Sequence, residues 1–76
     1  MRELVEFVAK SLVEHPDEVR THTYDTDQST VIELEVDEAD LGKVIGRQGR
    51  TARAIRILLS AAGRKTRRRY TLDIID

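Results

Sequence analysis

The stretch "VIGRQGRTARAIRILL", Val44 to Leu59, restricts the fold more than any other part of the sequence. Gly46 and Gly49 enclose only Arg47 and Gln48, with an apolar pair before them and a helical pattern after them. Glycine accepts positive φ at little cost, so two glycines this close favour a sharp turn of the backbone. The stretch therefore predicts two helices that meet at a corner formed by residues 46–49.

The segments before the corner predict one helix, two strands and a short helix. Apolar residues recur at helical spacing over residues 2–14, and Pro16 ends that helix. Residues 19–24 alternate weakly, and residues 30–36 alternate cleanly with Glu33 and Glu35 facing outward, so two strands flank a turn. Asp37 is placed to cap the short helix that fails at Gly46. The apolar positions at helical spacing in the first helix are Leu4, Phe7, Val8 and Leu12.

The segments after the corner predict a longer helix and a last strand. The helix runs from about Gly49 to Ala62, with Gly63 at the left-handed position that follows a helix end. Residues 64–68 form a basic loop, and residues 68–75 form the strand. The order is α-β-β-α-α-β. The simplest arrangement is an α+β fold of two layers, with three helices on one face of a three-stranded sheet. We expect one domain over residues 1–76.

Charge is distributed very unevenly along the chain. Residues 1–40 carry three lysines and arginines against twelve acids, whereas residues 41–76 carry ten against two. The net charge of −1 hides this asymmetry. Two interpretations remain: the two halves neutralise each other on folding, or the second half presents a basic surface. No segment is apolar over the roughly 20 residues that span a bilayer, and no cysteine is present, so we expect a cytoplasmic protein without membrane contact.

The helix after the corner begins without Ser, Thr, Asp or Asn, so its first backbone N–H groups have no side-chain cap. Free N–H groups at the positive end of a helix attract anions, phosphate in particular. Four cations surround this point, namely Lys43, Arg47, Arg50 and Arg53. The residues therefore suggest a site for a polyanion backbone. The alternative is a helical hairpin that needs glycine only to turn.

Other chemistry finds little support. The sequence lacks a Walker A motif, Val44 occupies the middle glycine position of a dinucleotide fingerprint, and only three aromatic residues are available for base stacking. His15 and His22 have no nucleophile in a recognisable motif. "DTDQST" lacks the glycine and glutamate of a calcium loop. We expect no enzyme activity, no cofactor and no metal. The basic segment 64–69 is either solvated or an extension of a nucleic-acid footprint.

The apolar pair, the G-x-x-G loop and the following apolar helix resemble the core motif of KH domains. The preceding helix and strand resemble the type II arrangement, which implies a mixed parallel and antiparallel sheet. The length is similar to that of small bacterial single-KH proteins. This resemblance implies a chaperone-like protein of the cytoplasm that binds single-stranded RNA. It also implies self-association or pairing with a larger KH protein, and a link to cell shape.

The resemblance implies that residues 46–49 clamp the RNA backbone. Lys43, Arg50 and Arg53 would flank the loop as phosphate contacts. Val44, Ile45 and Ile32 would line a groove for bases, although each of the three also suits the core. The predicted RNA-binding residues are Lys43, Val44, Ile45, Gly46, Arg47, Gln48, Gly49, Arg50 and Arg53.

A second hypothesis is a protein-interaction module in which the glycine loop is only a turn. A helical wheel places Thr51, Ile55, Leu58, Leu59 and Ala62 toward the core. A further apolar stripe of Ala54, Ile57 and Ala61 lies beside them, and a small domain has little room to bury both sides. This stripe predicts contact with a second copy of the chain. Dimerisation and RNA binding are compatible.

Overall fold

Three strands form a mixed sheet in the order β1–β2–β3. The computed structural model describes residues 1–76. β1 (Arg20–Asp25) is antiparallel to β2 (Ser29–Glu35), and β2 is parallel to β3 (Arg69–Ile74). The helices are α1 (Arg2–Leu12), α2 (Leu41–Ile45) and α3 (Arg50–Thr66). This arrangement confirms the predicted α-β-β-α-α-β order and the mixed sheet of the type II KH fold.

The core lies between the sheet and the three helices. Along β2, Ile32 and Leu34 are fully buried while Glu35 is exposed, which confirms the alternation predicted for this strand. All three helices contribute side chains above these two residues, so they cover the same face of the sheet. The core residues are Val5, Ala9, Val19, Ile32, Leu34, Val44, Ile55, Leu59 and Leu72. No helix combines the length and the apolar character that a membrane span requires.

The helix predicted from Leu4, Phe7, Val8 and Leu12 is confirmed as α1, but most of these four side chains are not buried. Val5 and Ala9 form the buried side, and only Val8 of the four predicted residues packs against the core without being exposed. Phe7 is 71% exposed. Both sets have helical spacing, but Val5 and Ala9 present small side chains, and small side chains let a helix lie close to a sheet. The larger side chains, Leu4, Phe7 and Leu12, are left exposed.

α3 is longer than predicted. It continues through Gly63 to Thr66, and Arg67 takes the left-handed conformation after it, with φ of 57°. Gly63 is therefore not the residue after the helix. The chain after α3 folds back toward the helix, so a Cβ at Gly63 would collide with the carbonyl oxygen of Arg68. The glycine is required by close approach of two backbone segments rather than by a left-handed turn.

The segment before α2 begins as predicted. The Asp37 side chain accepts a hydrogen bond from the backbone N–H of Ala39 at 2.8 Å. One 3₁₀ turn, Glu38–Asp40, follows, and α2 then runs for only five residues. Val36 and Leu41 both pack against the core, on either side of the cap. These contacts fix the direction in which the chain enters the corner.

Candidate nucleic-acid interface

The corner between α2 and α3 contains three residues with positive φ, namely Gly46, Gln48 and Gly49. Gly46 has φ of 79° and ψ of 169°, a combination that is almost confined to glycine. Gln48 and Gly49 both lie in the left-handed helical region, with φ of 56° and 74°. The Gly49 N–H donates to the Gly46 carbonyl at 3.1 Å. The predicted sharp turn is therefore present, with Arg47 and Gln48 at its exposed tip.

The two glycines serve different purposes. A Cβ at Gly46 would lie 2.7 Å from the backbone nitrogen of Thr51 and closer still to its hydroxyl oxygen. Nothing lies within 4 Å of a Cβ at Gly49. Gly46 is thus required by both conformation and close packing against the first turn of α3, whereas Gly49 is required by conformation alone.

The start of α3 has no side-chain cap, as the sequence predicts. Its capping position is held by Gly49, and no side chain accepts from the first N–H groups. The residues of α3 include no Asp or Glu over 17 positions. The N–H groups and the positive end of the helix dipole therefore face a region without nearby carboxylates on the same helix.

Three arginines surround the corner with their charges unpaired. Arg47, Arg50 and Arg53 are all exposed, and none of them forms an ion pair. Arg50 donates to the side-chain oxygen of Gln48 at 3.2 Å, which orients both side chains across the tip. The structure therefore brings these three predicted cations together around the start of α3.

Lys43 has a different environment from the three arginines. Its Nζ lies 3.8 Å from Asp40 Oδ1 and 4.0 Å from Glu14 Oε1. The lysine is half exposed, so its charge is shared between these carboxylates and solvent. An incoming anion would have to compete with two acids for Lys43, whereas it meets no such competition at the arginines.

The apolar residues of the motif divide between core and surface. Val44 and Ile32 are fully buried, so their side chains support the corner from within. Ile45 is half buried at the end of α2. Of the three residues considered for an apolar groove, only Ile45 has a side chain that a bound molecule could contact in this conformation.

A buried carboxylate holds the start of α2 against the end of α1. Asp40 is 1% exposed and accepts hydrogen bonds from the backbone N–H groups of Glu14 (3.1 Å) and His15 (3.0 Å). His15 Nδ1 lies 3.0 Å from the same carboxylate. Sequence patterns do not predict this contact, because Asp40 and His15 are 25 residues apart and no local pattern links them.

The contact shifts the pKa of both groups. Burial opposes ionisation of Asp40, but hydrogen bonds from Glu14 and His15 outweigh it and lower the pKa of this carboxyl. The hydrogen bond to Asp40 raises the pKa of His15. Both shifts favour the charged pair, which ties the segment after α1 to the helix that leads into the corner.

Taken together, the corner offers a helix start without a side-chain cap, the positive end of a helix dipole and three guanidinium groups without an ion pair. Such an arrangement binds anionic oxygen atoms, and Arg in particular presents paired donors that match phosphate.

Comparisons with known proteins agree with this geometry. A family model for the KH domain of KhpA/KhpB matches residues 2–74. The chain is 53% identical over 74 residues to RNA-binding protein KhpA of Borreliella burgdorferi, covering 97% of this chain and 90% of that protein. Identity to the protein of the same name is 54% in Halalkalibacterium halodurans, over the whole of both chains. It is 41% in Bacillus subtilis, over all of this chain and 94% of that protein. No solved structure gave a significant match.

These matches confirm the resemblance inferred from the G-x-x-G motif and the element order. The names of the relatives describe RNA-binding proteins and not enzymes, in agreement with the expected class.

Proposed function

The chain belongs to the KhpA/KhpB KH-domain family, and on that premise we propose that it binds single-stranded RNA through the glycine corner. The observation that carries the proposal is the uncapped start of α3 surrounded by Arg47, Arg50 and Arg53, which have no acidic partners. The names of the relatives support RNA as the polyanion. The few aromatic side chains favour contact with the RNA backbone over stacking on bases.

Each residue of the corner has a distinct role in this proposal. Gly46 and Gly49 bring the backbone close to the RNA, because neither carries a side chain that would hold a phosphate away. Arg47, Arg50 and Arg53 neutralise phosphates. Gln48 is positioned at the tip by its hydrogen bond with Arg50.

Lys43 and Ile45 have less direct roles in this proposal. Lys43 joins the phosphate contacts when an anion displaces it from its acidic neighbours. Ile45 offers a half-buried edge against which a base could rest. Val44 acts only from the core, by holding α2 in place.

A salt titration tests the proposal. If three phosphates are neutralised, the logarithm of the association constant should fall with the logarithm of salt concentration at a slope of roughly −2 for a single strand. Fluorescence anisotropy with a mixed pool of single-stranded RNA at low salt supplies the affinities. Absence of binding at low salt would refute the proposal, and a slope near zero would show that phosphates are not the contacts.

A second candidate is an interaction module in which the corner is only a turn, and a specific observation favours protein contact as well. Ile57 and Leu58 of α3 are 61% and 52% exposed, and Leu58 was wrongly predicted to face the core. Ala54 and Ala61 are also exposed on this helix, so the predicted stripe of Ala54, Ile57 and Ala61 is accessible.

Large apolar side chains are exposed on α1 as well, where Leu4 is 37% and Phe7 71% exposed. Glu6 of α1 accepts from Thr21 of β1, and Arg56 of α3 donates to the carbonyl of Leu72 in β3, so the polar sides of both helices face the outer strands. Leu4 and Leu58 are two positions away from Glu6 and Arg56, so each lies on the other side of its helix from these polar residues. A second copy of the chain would cover this apolar surface and make the protein a homodimer.

We further propose that the dimer acts as an RNA chaperone in the cytoplasm, alone or with a KhpB-type KH protein, within the processes that set cell shape. Weak contact with the RNA backbone suits a chaperone, since such contact does not depend on sequence. Sedimentation of the isolated protein distinguishes a second copy from a KhpB-type protein as the partner. Only self-association gives a dimer when no other protein is present.

A further inference from the structure

A second group of arginines surrounds an open groove at the end of α3 that lies farthest from the corner. One side of the groove is formed by the last turns of α3 and the start of β3. The other side is formed by the β1–β2 turn. Four arginines line it, namely Arg64, Arg67, Arg68 and Arg69, against one carboxylate, Asp27. We call this feature the basic groove.

The basic groove is held in shape by hydrogen bonds between its two sides. Arg68 donates to Thr30 Oγ1 at 2.6 Å and to the Ser29 carbonyl at 3.1 Å, and its Nη2 lies 3.0 Å from Asp25 Oδ1. The Arg68 N–H donates to the Gly63 carbonyl at 2.8 Å, so the end of α3 is fixed as well. Because these contacts hold both sides of the groove in place, little of the groove has to become ordered when an anion binds.

The other three arginines of the groove have no partner of their own. Arg64, Arg67 and Arg69 are exposed and form no hydrogen bond or ion pair through their side chains. Arg68 alone has its charge satisfied, by Asp25. The groove therefore combines one arginine that supports its walls with three whose charges are available to an anion.

A stripe on α3 joins the basic groove to the corner. Residues 53, 56, 60 and 64 follow one another at spacings of three and four, so they share one side of the helix. Three of them are arginines, and the fourth is Ser60, which itself lines the groove. The helix spans 17 residues, or about 25 Å, and carries no acid along that distance.

We propose that the basic groove binds backbone phosphates of the same RNA strand that the corner holds, so that the RNA lies along α3 from one end to the other. This inference rests on the proposed function and extends its footprint. A continuous strand is favoured over a separate ligand because arginines lie at both ends of the stripe and no acidic residue of α3 lies between the corner and the groove. An acidic protein segment would satisfy the arginines but would have no reason to follow the stripe to the corner.

The test compares RNA of two lengths with a groove variant. Arg64→Gln with Arg67→Asn removes two charges, and asparagine suits position 67 because it tolerates the left-handed conformation found there. The matched control, Lys10→Gln with Lys65→Gln, removes two exposed charges that do not line the groove. Thermal melting by circular dichroism checks that both variants fold. The ligands are mixed pools of 4-nucleotide and 16-nucleotide single-stranded RNA.

For the 16-nucleotide RNA, the groove variant should lose two phosphate contacts. The salt slope should become shallower by about 1.4, and affinity at 0.1 M salt should fall by roughly ten- to thirtyfold. Binding of the 4-nucleotide RNA should not change, because the corner alone holds it. The control should match the parent on both ligands.

Each other outcome has a distinct meaning. If the parent binds the short RNA and the groove variant equals the control on the long RNA, the groove inference is wrong while the proposed function stands. If the groove variant also loses the short RNA, the groove is not an extension of the corner, and the inference is again wrong. If the parent binds neither RNA, both proposals fail. Tighter binding of poly-glutamate than of RNA, lost in the groove variant, would assign the groove to an acidic protein.

Discussion

Replacing Arg47 and Gln48 together by aspartate should separate RNA binding from stability. Both side chains are exposed at the tip of the corner, so no core contact is lost. Gln48 has φ of 56°, a conformation that aspartate accepts better than most residues. The two glycines remain, and the backbone turn should therefore persist.

The stability of the variant should stay the same or increase. Each new carboxylate lies at the positive end of α3, where negative charge contributes about 0.3–1 kcal/mol at an exposed site. For a domain of this size, 1 kcal/mol corresponds to a change in melting temperature of about 4–8 °C. Circular dichroism melting at low ionic strength measures this effect, which added salt should reduce.

RNA affinity should change in the opposite direction. Loss of Arg47 removes one of three phosphate contacts and should reduce the salt slope from roughly −2 to roughly −1.4. The carboxylates also occupy the place assigned to phosphate, so affinity at low salt should fall by at least about tenfold. Anisotropy titrations with the mixed RNA pool provide both quantities.

A variant with the same change in net charge serves as the control. Lys10→Glu with Thr71→Glu alters exposed side chains of α1 and β3 outside the corner. It should keep most of the affinity of the parent, since only the global charge has changed. If the corner variant melts like the parent and binds RNA with the affinity and salt slope of the parent, the corner is only a turn.

Four further predictions follow from particular contacts. Gly46→Ala should lower the free energy of unfolding by more than the roughly 1–3 kcal/mol expected for backbone strain, because the added methyl group also collides with the first turn of α3. Denaturant unfolding measures this loss. Gly63→Ala should also destabilise the protein, although alanine is the better helix former by about 1 kcal/mol, since the methyl group would meet a backbone carbonyl. The pKa of His15 is raised on folding by its hydrogen bond to Asp40. The contribution of His15 to the free energy of unfolding is therefore complete below about pH 6.5 and is lost as the pH rises through the pKa of the folded state. His15→Gln should remove this part of the pH dependence of stability. Ile57→Glu should convert a dimer to a monomer in sedimentation equilibrium without lowering the melting temperature, because the side chain is exposed in the single chain.

The chain offers a matched control for Gly46→Ala. Gly49→Ala places a methyl group in open space and should cost only the conformational strain, about 1–2 kcal/mol, so equal losses at both glycines of the corner would contradict the packing argument. A monomeric parent protein would remove the basis for the apolar contact at Ile57.

Sequence patterns predicted the elements and the corner because those depend on neighbouring residues. Alternation fixed the faces of β2, and the glycine pair located the turn. The side of α1 that is buried could not be found in the same way. Both of its apolar stripes have helical spacing, and the choice between them depends on how closely the helix approaches the sheet. Gly63 was misjudged for a related reason, since the segment that crowds it follows the helix and folds back upon it.

The cations of the candidate site were also predictable, but their partners were not. Arg47, Arg50 and Arg53 follow from their positions around the glycines. That Lys43 is shared with Glu14 depends on a contact between segments that are far apart in the sequence. The hydrogen bonds of Asp40 with Glu14 and His15 likewise join segments that are far apart in the sequence. Such contacts determine which charges remain available, so sequence alone overstates the similarity of the four cations.

The parallel pairing of β2 with β3 has a consequence for the kinetics of folding. Ile32 pairs with Leu72, forty positions later, whereas the β1–β2 hairpin joins residues separated by a short turn. Long-range pairing requires closure of a large loop before its contacts form, so we expect the hairpin to form early and β3 to join late. The glycine corner lies in the middle of that loop. RNA bound at the corner would stabilise only the completed fold. It should therefore slow unfolding without speeding the formation of the β2–β3 pairing during refolding.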